Sequence, residues 1–182
     1  MEIKVKGIAS YPKVMKSQDF KGDGNFKYSI DVLILKTDPQ CADITNKIQE
    51  VIKNSFPNGA PKGFKTCLKD MAVEYPEKPA FKDYMVLKAS TNADVNKPFV
   101  VDANKEQILD PTMDSQIFGQ IVWMVGNLAT YNAQSSGVKI YLNGVLATGV
   151  DGDIPLEEMS SKPSVSQMFA GIEETTPTPS FG

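Results

Sequence analysis

Hydrophobic and polar positions alternate with a period of two along six segments of the chain, the signature of strands with one buried face. The first, "EIKVKGIASYPKVM", sets Ile3 and Val5 against Lys4 and Lys6, with a bend expected near Gly7 or Pro12. A turn on Gly22-Asp23-Gly24-Asn25 leads into a long strand from Phe26 to Lys36, so the two should pair antiparallel. The stretch "PAFKDYMVLKAST" points Met85, Leu87 and Ala89 one way, and Lys82, Tyr84, Lys88 and Ser90 the other, with Val86 among them. A short strand "KPFVVD" follows, then "SQIFGQIVWMVGNLATYN" and "GVKIYLNGVLATGV". In the last, Val138, Ile140 and Leu142 form the inward set and leave Lys139 and Tyr141 outward.

One segment switches to a period of 3.6. In "TDPQCADITNKIQEVIKNSF" the residues Ile44, Ile48, Val51 and Ile52 make a single stripe, Thr37 or Asp38 caps the start, and Pro39 occupies the first turn. The helix stops at "FPNG". Residues 57–80, rich in Pro, Gly and Lys, read as a basic loop insertion. After Pro155 the pattern fades into Ser, Thr and Pro, so 157–182 is expected to be a flexible, mildly acidic tail behind a domain of residues 1–156. Mainly β, with five or six antiparallel strands and one helix after the second strand, the chain fits a small Greek-key barrel. The oligonucleotide-binding (OB) fold leads, and a two-sheet sandwich also satisfies the pattern.

Charge sharpens this picture. The net charge is −3, yet residues 1–100 hold 16 lysines against 12 acids, while residues 101–182 hold 3 against 10. Such asymmetry accompanies a polyanion-binding face with an acidic tail, and also ordinary solvated surfaces. All 19 basic residues are lysine and histidine is absent. The usual general base and zinc ligand is therefore missing, as is the guanidinium fork that reads base edges. Cys41 and Cys67 have no CxxC spacing and read as free thiols. No apolar run reaches transmembrane length, and the first ten residues lack the apolar region of a secretory signal.

Catalytic motifs are lacking. The acid–glycine pairs in "KGDGN" and "VDGDIP" read as hairpin turns rather than calcium loops. No phosphate-cradling or nucleophile-elbow motif is present, so the expectation is a non-enzyme without cofactor or metal. What remains is lysine interleaved with aromatic rings, the two ingredients of sequence-tolerant single-strand binding. The candidates are Tyr11 with Lys13 and Lys16, Lys27, Lys62-Gly-Phe64-Lys65, Lys82 with Tyr84 and Lys88, and Lys139 with Tyr141. Tyr84 and Tyr141 sit on mixed faces, where core and surface readings stand level. Phe64 is either a stacking ring or a plug for the barrel end. Tyr28 and Trp123 share faces with aliphatic neighbours and are assigned to the core.

The series "YSIDVLILKTDP", a helix, then "YMVLKAST", "KPFVVD", "ILDP", "FGQIVWMVGNLATYN" and "GVKIYLNGVLATGVDG" resembles phage-encoded single-stranded DNA-binding proteins with an OB fold. The resemblance spans roughly residues 3–154. Its specific parts are Lys36-Thr37-Asp38-Pro39, the Lys97-Pro98 to Asp102 segment, the Asp110-Pro111 turn and the Gly119, Tyr131, Gly137 frame. It implies a protein of DNA replication or recombination that coats exposed single strands in the cytoplasm of the infected bacterial host. It also implies phage replication partners engaged through the C-terminal tail, here Glu173, Glu174 and Phe181. In this chain two glutamates stand well before the aromatic, and Gly182 follows it. A homodimer is an open alternative to the monomer. The rival reading is a β-barrel virion or assembly protein making protein contacts only. A third is a metal-dependent nuclease built on Asp151 or Asp153.

Overall fold

The computed structural model describes residues 1–160 and 169–172. Its seven strands are β1 (Glu2–Asp19), β2 (Phe26–Leu35), β3 (Leu68–Asp70), β4 (Tyr84–Asn92), β5 (Phe99–Val101), β6 (Gln120–Asn132) and β7 (Ser136–Asp151). The long helix α1 (Pro39–Ser55) follows β2, capped by the Asp38 carboxylate, which accepts from the Gln40 backbone N–H. Among the described residues there are also three single-turn α-helices, α2 (Met71–Glu74), α3 (Asp114–Ile117) and α4 (Leu156–Met159), and a 3₁₀ turn at Pro79–Phe81.

Five strands form a closed circuit. β1 pairs with β2, β2 with β4, β1 with β6, and β6 with β7, all antiparallel. Closure comes from a parallel contact of β4 with β7, through Ala89 opposite Ile140 and Ser90 opposite Tyr141. This is the OB circuit, with β1, β2, β4, β6 and β7 as its five strands. β5 adds a second parallel pairing outside it, beside β7. The all-antiparallel expectation is thus corrected at two pairings. Alternation cannot reveal strand direction, because a residue's face is the same in either sense.

Inward side chains from every barrel strand meet in one core, among them Ile3, Ile30, Val32, Leu87, Met124, Leu128, Ile140 and Leu142. Cys41, Ile44 and Ile48 of α1 join it. A second, smaller core lies outside the barrel, where Ile8, Leu33, Tyr84 and Val86 on the outer faces of β1, β2 and β4 are covered by Met71, Phe81, Ile154 and Met159. The packed body therefore continues past residue 156 to Met159, which is 1% exposed. The stretch 57–80, expected as loop, contains β3 and α2 and supplies Met71 to this lid, with Tyr75 and Ala80 packed against it. Glu173, Glu174 and Phe181 lie outside the described residues.

The first strand bends where its register with β2 shifts, between Ser10 and Lys13, at Tyr11-Pro12. Tyr11 has φ +44 there, in the left-handed region that side chains seldom adopt. Gly7 serves a different purpose. A Cβ at this position would lie 2.3 Å from the Leu33 carbonyl oxygen and 2.6 Å from a Val32 methyl. Gly7→Ala is expected to lower stability by about 1–3 kcal/mol, the usual cost of overpacking, and an unchanged urea midpoint would contradict this close approach.

Candidate nucleic-acid interface

The outer face of β2 and β4 changes character along its length. On β2 it runs Leu35, Leu33, Asp31, Ser29, Lys27, and on β4 it runs Tyr84, Val86, Lys88, Ser90, Asn92. Toward the apolar end Leu33, Tyr84 and Val86 are buried in the second core, while Leu35 at the strand end is exposed. Asp31 stands opposite both Ser10 and Lys88, and beyond this row the face is polar and uncovered. There it forms the floor of a cleft of about 700 Å³.

Each wall of the cleft has a local cause. On one side the β1–β2 loop, residues 20–25, is drawn tight by the Asp19 carboxylate, which accepts from the backbone N–H groups of Lys21, Gly22, Asp23 and Gly24. These bonds, led by that from Gly24, hold the Asp19 carboxyl below its ordinary range. The loop brings Phe20 and Lys21 to the cleft, with Phe20 53% exposed. Opposite stands the hairpin between β6 and β7, which supplies Tyr131 and Lys139. OB barrels bind oligomers on this strand face between these two loops.

The third wall is the segment 64–69. Below Ala89, β4 no longer pairs with β7 but with β3, Leu68 opposite Leu87. Just ahead of β3, Lys65 bridges to the start of β7: its N–H donates to the Ser136 carbonyl at 3.0 Å and its carbonyl accepts from Val138 at 2.9 Å. Gly137 is required for this stitch, because a Cβ there would sit 2.7 Å from the Lys65 carbonyl oxygen and 2.5 Å from the Tyr131 hydroxyl. Phe64 is half-buried, edge-on to Phe56 with ring centroids 5.7 Å apart, and lines the cleft. Cys67 lies beneath, its thiol pushed up to about 11 by burial and so protonated at neutral pH.

Six lysines line the cleft: 21, 27, 65, 69, 88 and 139. Two are engaged. Lys88 Nζ donates to Asp31 Oδ2 at 3.0 Å, and Lys69 lies 3.7 Å from Glu74. The other four have no acidic partner within 4.0 Å among the described residues. Lys139 instead holds its ammonium 4.2 Å from the centroid of the Tyr141 ring.

Of the twelve expected contact residues, the cleft gathers Lys27, Phe64, Lys65, Lys88 and Lys139. Tyr141 is 38% exposed and extends the Lys139 face beyond it. Lys13 lies across from Ser29, one strand outside the floor. Lys16 and Lys62 are exposed elsewhere, and the Lys82 carbonyl accepts from Lys36 beside the second core. Tyr11 packs on Phe118, centroids 5.1 Å apart, and donates to the Met159 carbonyl. Tyr84 is a correction. It is 9% exposed inside the second core, where burial first and then the carboxylates of Asp153 and Asp83 raise its phenol, so no base stacks on it. Trp123 is another: it is 39% exposed, since β6 turns Val122, Met124 and Leu128 inward instead. Sequence reasoning missed Phe20, Lys21, Lys69 and Tyr131. The pair Phe20-Lys21 next to the glycine turn was the available signal.

Fold, cleft and flanking loops together define an oligonucleotide-binding barrel. The model of the family described as "Enterobacter phage Enc34, ssDNA-binding protein" matches residues 1–176, and the chain belongs to that family. The single-stranded DNA-binding protein of bacteriophage Enc34 solved in complex with ssDNA is similar at 23% identity and a TM-score of 0.70, over 85% of this chain and 88% of that one. A C-terminal truncation of the Enc34 protein aligns at 25% identity and a TM-score of 0.68, over 85% and 87%. Gp2.5, the single-stranded DNA-binding protein encoded by bacteriophage T7, shares the fold at 15% identity and a TM-score of 0.63, over 96% and 98%. The search of curated proteins found no match. The family is one of DNA-binding proteins rather than a class of enzymes. Among the described residues no cluster of three or more acids and cysteines is placed to hold a metal, and no helix is long and apolar enough to cross a membrane.

The Asp31–Lys88 pair makes a pH-dependent prediction. Burial raises the Asp31 carboxyl, and Lys88, the next influence, opposes it. An acid raised in the folded state favours folding when protonated, so this group's contribution weakens as pH climbs above the ordinary carboxylate value. Lys88→Ala removes the opposing charge. Its cost is expected to be about 1–2 kcal/mol at pH 7, moderated because the lysine is partly exposed, and to shrink toward pH 4. Urea unfolding at the two pH values checks it, and an equal loss at both would refute the pairing.

Proposed function

We propose that this protein coats single-stranded DNA during phage replication and recombination, in the cytoplasm of the infected host, with the strand lying in the cleft between the two hairpin loops. The observation that carries this is the uncovered, lysine-lined strand face at the position where OB barrels take oligomers. Lys21, Lys27, Lys65 and Lys139 neutralise phosphates, while Phe20, Phe64 and Tyr131 offer ring surface to bases. Lys88 contributes less, because its charge is already matched by Asp31. Ammonium groups are point charges without the planar fork that fits a guanine edge, so binding tolerates sequence. Family membership supports the single strand over duplex as ligand. It also weighs against the virion-protein reading, for which oligonucleotide would not bind.

Counterion release tests this directly. With about four phosphates neutralised, log K should fall against log salt with a slope near −3, since each single-strand contact contributes about 0.7. Replacing Lys27 and Lys65 together by alanine should flatten the slope by about 1.4 and weaken every sequence alike. A flat salt response in the unaltered protein would sink the phosphate-track idea.

The tail is proposed to compete for the same lysines and to engage replication partners through Glu173, Glu174 and Phe181. A truncation must begin after Ser160, because Ile154 and Met159 belong to the second core. Removing 161–182 is expected to tighten single-strand binding at low salt. Unchanged or weaker binding, with an unaltered melting temperature, would argue that the tail does not compete.

A further inference from the structure

The outward row of β6 begins in the cleft and leaves it. From Tyr131, which lines the cleft, it passes Ala129, Asn127 and Val125 to Trp123. Alternation along β6 is unbroken, since the register shift near Val125 places the extra residue, Asn143, on β7. Tyr141 stands directly across from Asn127. At about 3.3 Å per residue, Tyr131, the Tyr141 position and Trp123 follow one another at intervals of about 13 Å.

Two of these rings are half-open and each carries a lysine. Lys139 lies over Tyr141, and Lys6, across from Trp123 on β1, places Nζ 5.8 Å from the indole centroid. Between them Lys4 stands across from Val125, with Gly144 on the other side and Phe99 of β5, 70% exposed, paired beyond it. Lys4 has Glu2 at 3.5 Å, in a solvated pair that salt and competing anions readily disrupt. Beyond Lys6 the sign of the surface changes, because a 270 Å³ recess there includes Asp38 and Asp153.

We infer that the outer face of β6 is a second section of the single-strand track, carrying nucleotides that leave the cleft past Tyr141 to a terminal stacking platform at Trp123. This rests on the cleft itself holding single-stranded DNA. Continuity with the cleft through Tyr131 and Lys139 selects the occupant. A nucleic acid strand needs rings and cations repeated along a line. Tyr141 with Lys139, Lys4, and Trp123 with Lys6 supply them, with exposed Phe99 of β5 beside Gly144 as a further ring. Glu2, across from Asn127 within the row, is matched by Lys4, whereas Asp38 and Asp153 at the far end mark where a polyanion must stop or turn away.

The indole is the chain's only tryptophan, so its emission reports this end of the track alone. The full-length protein is titrated with end-labelled dT oligomers of about 5 and about 16 nucleotides, within the range of site sizes for one OB barrel. Anisotropy of the label gives affinity and the indole emission gives contact. Both oligomers should bind, and only the longer should quench Trp123. Trp123→Ala should weaken the 16-mer about 5- to 30-fold and leave the 5-mer unchanged, while Trp123→Phe should retain most of the affinity.

Binding of the 16-mer without quenching, or equal loss for both lengths in Trp123→Ala, overturns the extended track. Concentration-dependent self-association abolished by Trp123→Ala, with DNA affinity intact, overturns it in favour of a contact between copies. If neither oligomer binds, the cleft reading falls with it. If the 5-mer binds and the 16-mer gains nothing, the cleft reading stands and only the extension fails.

Discussion

The parallel contact between β4 and β7 governs this molecule. It consists of only two residue pairs, Ala89 with Ile140 and Ser90 with Tyr141, yet it closes a five-stranded circuit. Two strands that meet briefly and then part leave unpaired backbone on each flank, and buried backbone groups must find partners. The segment 65–70 meets this demand. It bonds to β7 at Lys65, to Lys88 through the Cys67 carbonyl, and to β4 as β3. The cleft is the part of this seam that no segment covers. The feature that closes the barrel also creates the cleft.

A second constraint concerns the outer face of the same strands. A barrel strand exposes every second residue, and a long apolar outer face must be covered. Here the cover comes from two remote pieces, 71–81 and 154–159, which bury Ile8, Leu33, Tyr84 and Val86. Their reach ends at the row of Ser10, Asp31 and Lys88. Asp31 and Lys88 at this edge are half-desolvated and satisfy one another, which explains why a carboxylate is tolerated in a cleft suited to polyanions. The pair contributes little net charge to the surface a ligand meets, leaving attraction to the lysines around it.

These constraints also explain what the sequence did and did not disclose. Strands with one apolar face, such as Ile30-Val32-Ile34 or Val138-Ile140-Leu142, are assigned correctly from alternation because only one orientation buries them. β6 defeats the same logic. Ile121, Trp123 and Val125 look as apolar as Val122 and Met124, and only pairing with β1 decides which set faces in. Tyr84 fails for a different reason. Its face is covered by residues some 70 positions away in Ile154 and Met159, a contact no local pattern encodes. The cleft was half legible. Lysines at strand positions could be placed by parity, whereas Phe20 and Lys21 depend on where a loop folds, and Tyr131 on the same undecided parity of β6.

Trp123 illustrates how a misassigned face alters the functional picture. Taken as core, it would leave β6 as scaffold and confine the ligand to the cleft. Turned outward, it joins a row whose other end, Tyr131, already lines the cleft. Exposure of a large indole on a strand costs roughly the transfer free energy that burial would recover, about 2 kcal/mol. The Lys6 ammonium, 5.8 Å from the ring centroid, offsets part of this. An exposed ring with a lysine beside it, twice on one sheet face, is costly as packing and useful as a surface for stacked, charged ligands. That balance favours β6 as working surface rather than scaffold.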